Sequence, residues 1–128
     1  MRLEPLLAGA AGLVGAAGTA MAAVSAHGTG EARLMATAAG IALVHAPALL
    51  ALALAPPARL RLAPQAGLVV LAGTVLFSGD LAYRFFSGER LFEGAAPTGG
   101  LLIIAGWLAV TAGAVLAASR PGKGGNGE

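Results

Sequence analysis

The sequence has no cysteine and few charged residues, and these two shortages exclude most soluble classes of protein. Without cysteine there is no disulfide, no thiol redox centre and no cysteine-bound zinc or iron–sulfur cluster. Charged residues make up 11% of the 128 positions, against a usual share of about 25%. They are scattered singly, so no basic patch exists for nucleic acid. With 57% hydrophobic residues and 20 glycines, the composition indicates a membrane protein.

Four apolar runs are long enough to cross a bilayer, which requires about 20 apolar residues. We predict spans at about 5–26, 34–55, 66–86 and 98–118. The expected fold class is therefore all-α, an integral membrane bundle of four transmembrane helices. Residues 1–120 form a single domain in this interpretation, with Thr98 as a candidate cap of the last helix. The glycine-rich tail, 121–128, is expected to be disordered and cytoplasmic.

The distribution of Lys and Arg around the spans predicts the orientation in the membrane. With four spans, both termini and the middle loop share one side and carry more basic residues than the other side. These residues are Arg2, Arg59, Arg61, Arg120 and Lys123, against Arg33, Arg84 and Arg90. We therefore expect a multi-pass inner (plasma) membrane protein with both termini in the cytoplasm.

An alternative for the first span is a cleaved signal peptide. Val24, Ser25 and Ala26 have the small-residue pattern of a cleavage site. The apolar run is longer than the 7–15 residues of a typical signal core, and Glu4 weakens the basic start. Cleavage would leave three spans with a periplasmic N-terminus.

Glycine is concentrated on two of the predicted helices. In the first, Gly9, Gly12, Gly15 and Gly18 recur every three residues, so they leave more than one face of the helix without large side chains. Such a helix suits the centre of a bundle. In the fourth, Gly99, Gly106 and Gly113 recur every seven residues and keep one narrow face small. We expect both patterns to serve packing within the chain, with a dimer or hetero-oligomer interface as the alternative.

Two ionisable residues lie within the third span, where charge is costly enough to make each a candidate functional position. Asp80 and Arg84 are one helical turn apart, at a spacing where opposite charges face each other. We expect a structural ion pair. The alternatives are a solute or proton site, and contact of these charges with a partner subunit or a lipid head group.

The two histidines differ in depth. His27 lies just past the first span, and His45 near the middle of the second. Paired histidines can ligate a b-type haem. Here they are separated by roughly 16 Å along the helix axis, whereas axial ligands must meet at one iron. We therefore expect no cofactor. His45 is expected to be neutral and hydrogen-bonded across helices, to Ser78 or Thr74.

No catalytic constellation accompanies these residues. There is no nucleophile elbow, phosphate loop or metal-ligand spacing, so we predict no catalytic, cofactor-binding or metal site and no enzyme activity. The favoured function is an accessory or scaffolding component of a membrane assembly. It would contact the lipid bilayer and, through glycine-rich helix faces, a membrane-protein partner or a second copy. The rival function is a small-solute or proton transporter or channel using His45 and Asp80.

Four short motifs occur in order along the chain. They are Ser25-Ala26-His27-Gly28, His45-Ala46, Phe77-Ser78-Gly79, and Pro97-Thr98-Gly99-Gly100 followed by Gly106-Trp107. With this ordered set, essentially the whole chain resembles the bacterial family catalogued as domain of unknown function 423, whose eukaryotic branch is the transmembrane protein 256 group. The resemblance implies a small inner-membrane protein of four helices, in a family with no established biochemical activity.

The chain departs from that family's pattern at polar positions. Family members usually carry a second Ser after Phe-Ser-Gly and a Tyr-Gln pair ahead of the buried His. This chain has Asp80, Ile41 and Ala42 there instead. A role that rests on the family's Ser, Tyr and Gln side chains therefore does not carry over to this chain, and Asp80 with Arg84 is a local feature of it.

Overall fold

The computed structural model describes residues 2–121 and consists of four long helices. They are α1 (Leu3–His27), α2 (Ala32–Leu54), α3 (Ala63–Ser87) and α4 (Ala95–Ala118). Each is long and apolar enough to cross a membrane, and the described residues contain no strand. The prediction of an all-α bundle of four transmembrane helices is confirmed. The tail predicted to be disordered is 121–128, and all of it except Pro121 lies outside the described residues.

Each helix begins before the apolar run that predicted it. Backbone hydrogen bonding continues past the charged residue at which an uncharged run stops, so α1 includes Glu4 and α2 includes Arg33. The prediction of Thr98 as a cap is wrong. α4 is capped by Gly94, and the Thr98 N–H already donates to the Gly94 carbonyl at 3.0 Å.

The centre of the bundle is formed by α2 and α3, with α1 packed on α2 and α4 packed on α3. Within the described chain the α4 backbone contacts neither α1 nor α2. The expectation that the glycine-rich first helix is central is therefore wrong. Large buried side chains define the centre of a bundle, and most of them belong to α2 and α3. They are Met35, Leu49, Val70 and Thr74, joined by Leu7 from α1.

The glycines that recur every seven residues along α4 face α3, which confirms that their role is packing within the chain. A Cβ on Gly99 would lie 2.6 Å from the Phe77 amide nitrogen, closer than real Cβ contacts come. A Cβ on Gly106 would collide with Val70, and one on Gly113 with the backbone of the loop before α3. The two helices can approach this closely only because these positions have no side chain.

The loop between α3 and α4 turns on two glycines. Gly88 ends α3 with φ 76°, and its N–H donates to the Arg84 carbonyl at 2.9 Å. Gly94 begins α4 with φ 83°. Glycine adopts this left-handed conformation without the steric cost of a Cβ. The two turns fold the loop back over the end of α3.

Candidate functional site

The polar side chains considered as candidate site residues fall into two groups at different depths. The midplane layer consists of His45 near the middle of α2, Thr74 and Ser78 near the middle of α3, and Trp107 near the middle of α4. The second group lies where α1 ends, α2 begins and α3 ends. It comprises His27, Glu31, Arg33, Asp80 and Arg84.

His45 is buried, and both of its ring nitrogens are hydrogen-bonded. Nδ1 lies 2.7 Å from the carbonyl oxygen of Ile41, which can only accept. Nε2 lies 3.1 Å from the indole Nε1 of Trp107, whose N–H can only donate. His45 is therefore the neutral tautomer that carries its proton on Nδ1.

Trp107 was missed by sequence reasoning, which expected Ser78 or Thr74 as the partner of His45. That expectation is wrong because Ser78 bonds elsewhere and Thr74 has no partner in the described chain. The helix backbones of α2 and α4 do not touch, and the long indole bridges the gap between them. A tryptophan near the middle of an apolar helix was the available signal, since its N–H requires an acceptor in lipid.

Ser78 joins α3 to α2 through a backbone carbonyl. Its hydroxyl donates to the oxygen of Ala38 at 2.8 Å, and both residues are buried. Thr74, one turn earlier, is 1% exposed and its hydroxyl has no hydrogen-bond partner within residues 2–121. Both residues line an apolar groove of about 200 Å³ between α1, α2 and α3. The other lining residues are Val14, Ala17, Met21, Ala42, Val75, Gly79 and Ala82.

Asp80 is 2% exposed and does not form the expected ion pair. Its Oδ1 accepts the backbone N–H of Leu91, in the loop between α3 and α4, at 2.7 Å. Across residues 2–121, no carboxylate oxygen lies within 4.0 Å of an arginine nitrogen. The spacing to Arg84 permits a pair, but Asp80 faces the interior and the folded-back loop supplies the donor instead.

Arg84 lies at the same end of α3 as Asp80, but it faces the turn between α1 and α2 and not the loop between α3 and α4. It is half-buried and lines a polar cleft with Glu31 and Arg33, at the turn between α1 and α2. We call this the boundary cleft. His27 is the last residue of α1 and is exposed. The structure therefore separates the five sequence candidates. His45 and Ser78 belong to the midplane layer, while Asp80 faces the loop, Arg84 faces the cleft and His27 lies at the helix end.

These observations define a class of protein: a multi-pass membrane protein of four helices, with polar side chains buried at two depths. Residues 21–100 match the family model described as "Protein of unknown function (DUF423)". The match covers more than half of the chain, so the chain belongs to this family. Trp107, the partner of His45, lies outside the matched region. No solved structure matches the chain.

Proposed function

We propose that the protein is a non-catalytic accessory or scaffolding component of a membrane assembly, docking through the outer face of α1. The observation that supports this is an unpartnered stripe of small residues, Gly9, Gly12, Ala16 and Ala20. All four are exposed and lie within about 80° of one another at 100° per residue. A Cβ on Gly9 or Gly12 would meet nothing within 4 Å. Membrane helices associate closely along such faces.

The α1 stripe differs from the glycine faces that pack within the chain in being unused. Gly99, Gly106 and Gly113 of α4 are occupied by α3, and Gly18 of α1 is occupied by Leu43 of α2. Ordinary lipid-facing helices carry large side chains, as the outer face of α4 does with Leu101, Ile104 and Leu108. On α1 the exposed large side chains Leu6 and Leu13 lie along one edge of the stripe, so a second helix can approach the small residues themselves closely.

The rival transporter function has less support. His45 uses both ring nitrogens within the chain, and Asp80 accepts a loop amide. A proton or solute path needs groups that can exchange partners along its length. Among the polar groups of the midplane layer, only the Thr74 hydroxyl has no partner in the described chain, and it lies against an apolar groove.

The docking proposal is tested by filling the stripe. Gly12→Leu combined with Ala16→Leu adds side chains outside the bundle, so the melting temperature should stay near that of wild type. Purification in mild detergent should recover wild type with a partner or a second copy, and the variant alone. The matched control, Ala105→Leu with Ala112→Leu, likewise places two leucines on an exposed helix face, that of α4.

Two outcomes contradict the proposal. One is equal association of wild type and both variants, which would mean that the α1 stripe is not the interface. The other is wild type that elutes alone as a monomer and supports solute flux in reconstituted liposomes. Flux that is lost in His45→Leu would then favour the transporter.

We further propose that the protein lies in the inner membrane with both termini in the cytoplasm. The support is the excess of Lys and Arg on the side of the termini and the middle loop. A reporter active only in the periplasm, fused after Glu128, should remain silent. A strong signal would mean inversion or cleavage of the first helix, and the intact mass would distinguish these two.

A further inference from the structure

The boundary cleft is a recess formed by two elements that are distant in sequence. The start of α2 contributes one wall and Arg84 of α3 contributes the other. A smaller recess continues it along α3, past Phe85 and Gly88. The residues that line the main cleft are Gly30, Glu31, Ala32, Arg33, Leu34 and Arg84.

The cleft has two cationic side chains and one anionic side chain. Arg33 and Arg84 line it together with Glu31, and neither guanidinium lies within 4.0 Å of a carboxylate in the described chain. The carboxylate nearest to Arg84 along α3 is that of Asp80, which is engaged by the Leu91 amide. Two arginines are thus left with a net positive charge between them and no carboxylate partner among residues 2–121.

The cleft lies at the level of the lipid head groups. Arg84 is in the last turn of α3, about 4.5 Å along the axis from the final residue, Ser87. Exposed aromatic rings surround this end of the bundle: Tyr83, Phe86 and Phe92. Tyr and Trp side chains concentrate at the interface between hydrocarbon and water, so Tyr83, which directly precedes Arg84, places Arg84 at that interface too.

We propose that the boundary cleft binds a phosphate-bearing anion, with Arg33 and Arg84 donating to its oxygens. Guanidinium groups match phosphate in geometry and form strong charge-assisted hydrogen bonds. The positive end of the α2 dipole adds to the field at the cleft, while the N–H groups of Ala32 and Leu34 already donate to the carbonyls of Gly30 and Glu31. The phosphate belongs either to a lipid head group or to a free anion. The site shares no residue with the outer stripe of α1.

Native mass spectrometry of the full chain in detergent tests this with two lipids of identical acyl chains. Phosphatidylglycerol carries the phosphodiester, and diacylglycerol lacks it. Wild type should retain phosphatidylglycerol at least about tenfold more strongly, a difference of about 1.4 kcal/mol. Arg33→Gln with Arg84→Gln should abolish that preference. Arg59→Gln with Arg61→Gln, at the opposite end of the bundle, is the matched control and should keep it.

Two further variants test the assigned charges. Glu31→Gln removes the only carboxylate that lines the cleft in the described chain, so it should strengthen retention severalfold. Asp80→Asn should leave retention unchanged, because Asp80 faces the loop. If Asp80→Asn strengthens retention instead, Asp80 neutralises Arg84 in solution and the assignment is wrong.

Inorganic phosphate, added to lipid-free protein in detergent, distinguishes a free anion from a lipid head group as the ligand. A rise in melting temperature that requires both arginines supports a free anion. No rise, with phosphatidylglycerol still retained through the arginines, supports a lipid head group.

Equal retention of the two lipids, or equal losses in the cleft and control variants, overturns the proposal. Circular dichroism and elution volume confirm that each variant is folded.

Discussion

The midplane layer and the boundary cleft differ in how their polar side chains are partnered. At the midplane, His45, Trp107 and Ser78 are hydrogen-bonded within the chain through bonds that join different helices, and Thr74 alone has no partner in residues 2–121. At the boundary, Arg33 and Arg84 line a cleft without a carboxylate partner in residues 2–121. The solvent at each depth explains the difference. Hydrocarbon offers no hydrogen-bond partner, whereas water and lipid head groups do.

Asp80 marks the transition between the two regions. It lies only one turn from Arg84, yet it is buried and bonded to a loop amide. A carboxylate beneath the boundary needs a donor from the protein, and the nearest turn of backbone provides one. Arg84 has a long side chain that extends to the interface and needs none.

The largest expected effect is at the midplane. His45→Leu leaves the Trp107 N–H without an acceptor in lipid, which should lower the free energy of unfolding by about 1–2 kcal/mol. Trp107→Phe should cost less, because the His45 ring keeps its bond to the Ile41 carbonyl. The double variant should be more stable than the sum of the single losses predicts, by at least about 0.5 kcal/mol. Unfolding in detergent, followed by circular dichroism, measures all four proteins. Strict additivity would mean that the two rings do not interact.

Next in size is the loss of the loop contact at Asp80. Asp80→Ala leaves the Leu91 amide unpaired and should cost about 1 kcal/mol. Asp80→Asn retains an acceptor oxygen and should cost less. Hydrogen exchange resolves the site directly, since the Leu91 amide should be protected in wild type and in the Asp80→Asn variant but not in the Asp80→Ala variant. Rapid exchange of that amide in wild type would contradict the contact.

Substitutions of Ser78 and Thr74 should change the stability of the protein in different ways. Ser78→Ala removes the donor to the Ala38 carbonyl and should cost about 0.5–1 kcal/mol. Thr74→Val replaces an unpartnered hydroxyl with a methyl group of the same shape, so stability should be unchanged or slightly higher. Melting temperatures in detergent rank the two variants against wild type. A large loss for Thr74→Val would reveal a partner for that hydroxyl.

The smallest expected effect is the coupling between Asp80 and Arg84. Arg84→Leu strands no carboxylate, because Asp80 is bonded to the loop. The losses from Asp80→Ala and Arg84→Leu should therefore add, with an interaction energy below about 0.5 kcal/mol. A double-mutant cycle on unfolding free energies measures it. Recovery of stability in the double variant would instead support the ion pair between Asp80 and Arg84 that the sequence predicts.

Much of the fold could be predicted from the sequence because the membrane simplifies the problem. A helix satisfies its own backbone hydrogen bonds, so length and apolarity are enough to locate each span. Packing of the small face of α4 within the chain was likewise predicted, since Gly99, Gly106 and Gly113 leave that face without side chains, and the structure identifies α3 as the helix it contacts. The central helices were not foreseeable from small residues alone. Gly-rich α1 has one face against α2, while larger buried side chains place α2 and α3 at the centre.

The sequence by itself therefore determined the class of protein, the number of helices and the residues that are costly in lipid. Only the tertiary structure decided their partners. Trp107 reaches His45 because α3 holds α4 at the distance that an indole spans. Asp80 meets Leu91 because Gly88 and Gly94 turn the loop back over α3. Spacing along one helix shows which residues share a face, but the neighbouring helices and loops determine what each face contacts.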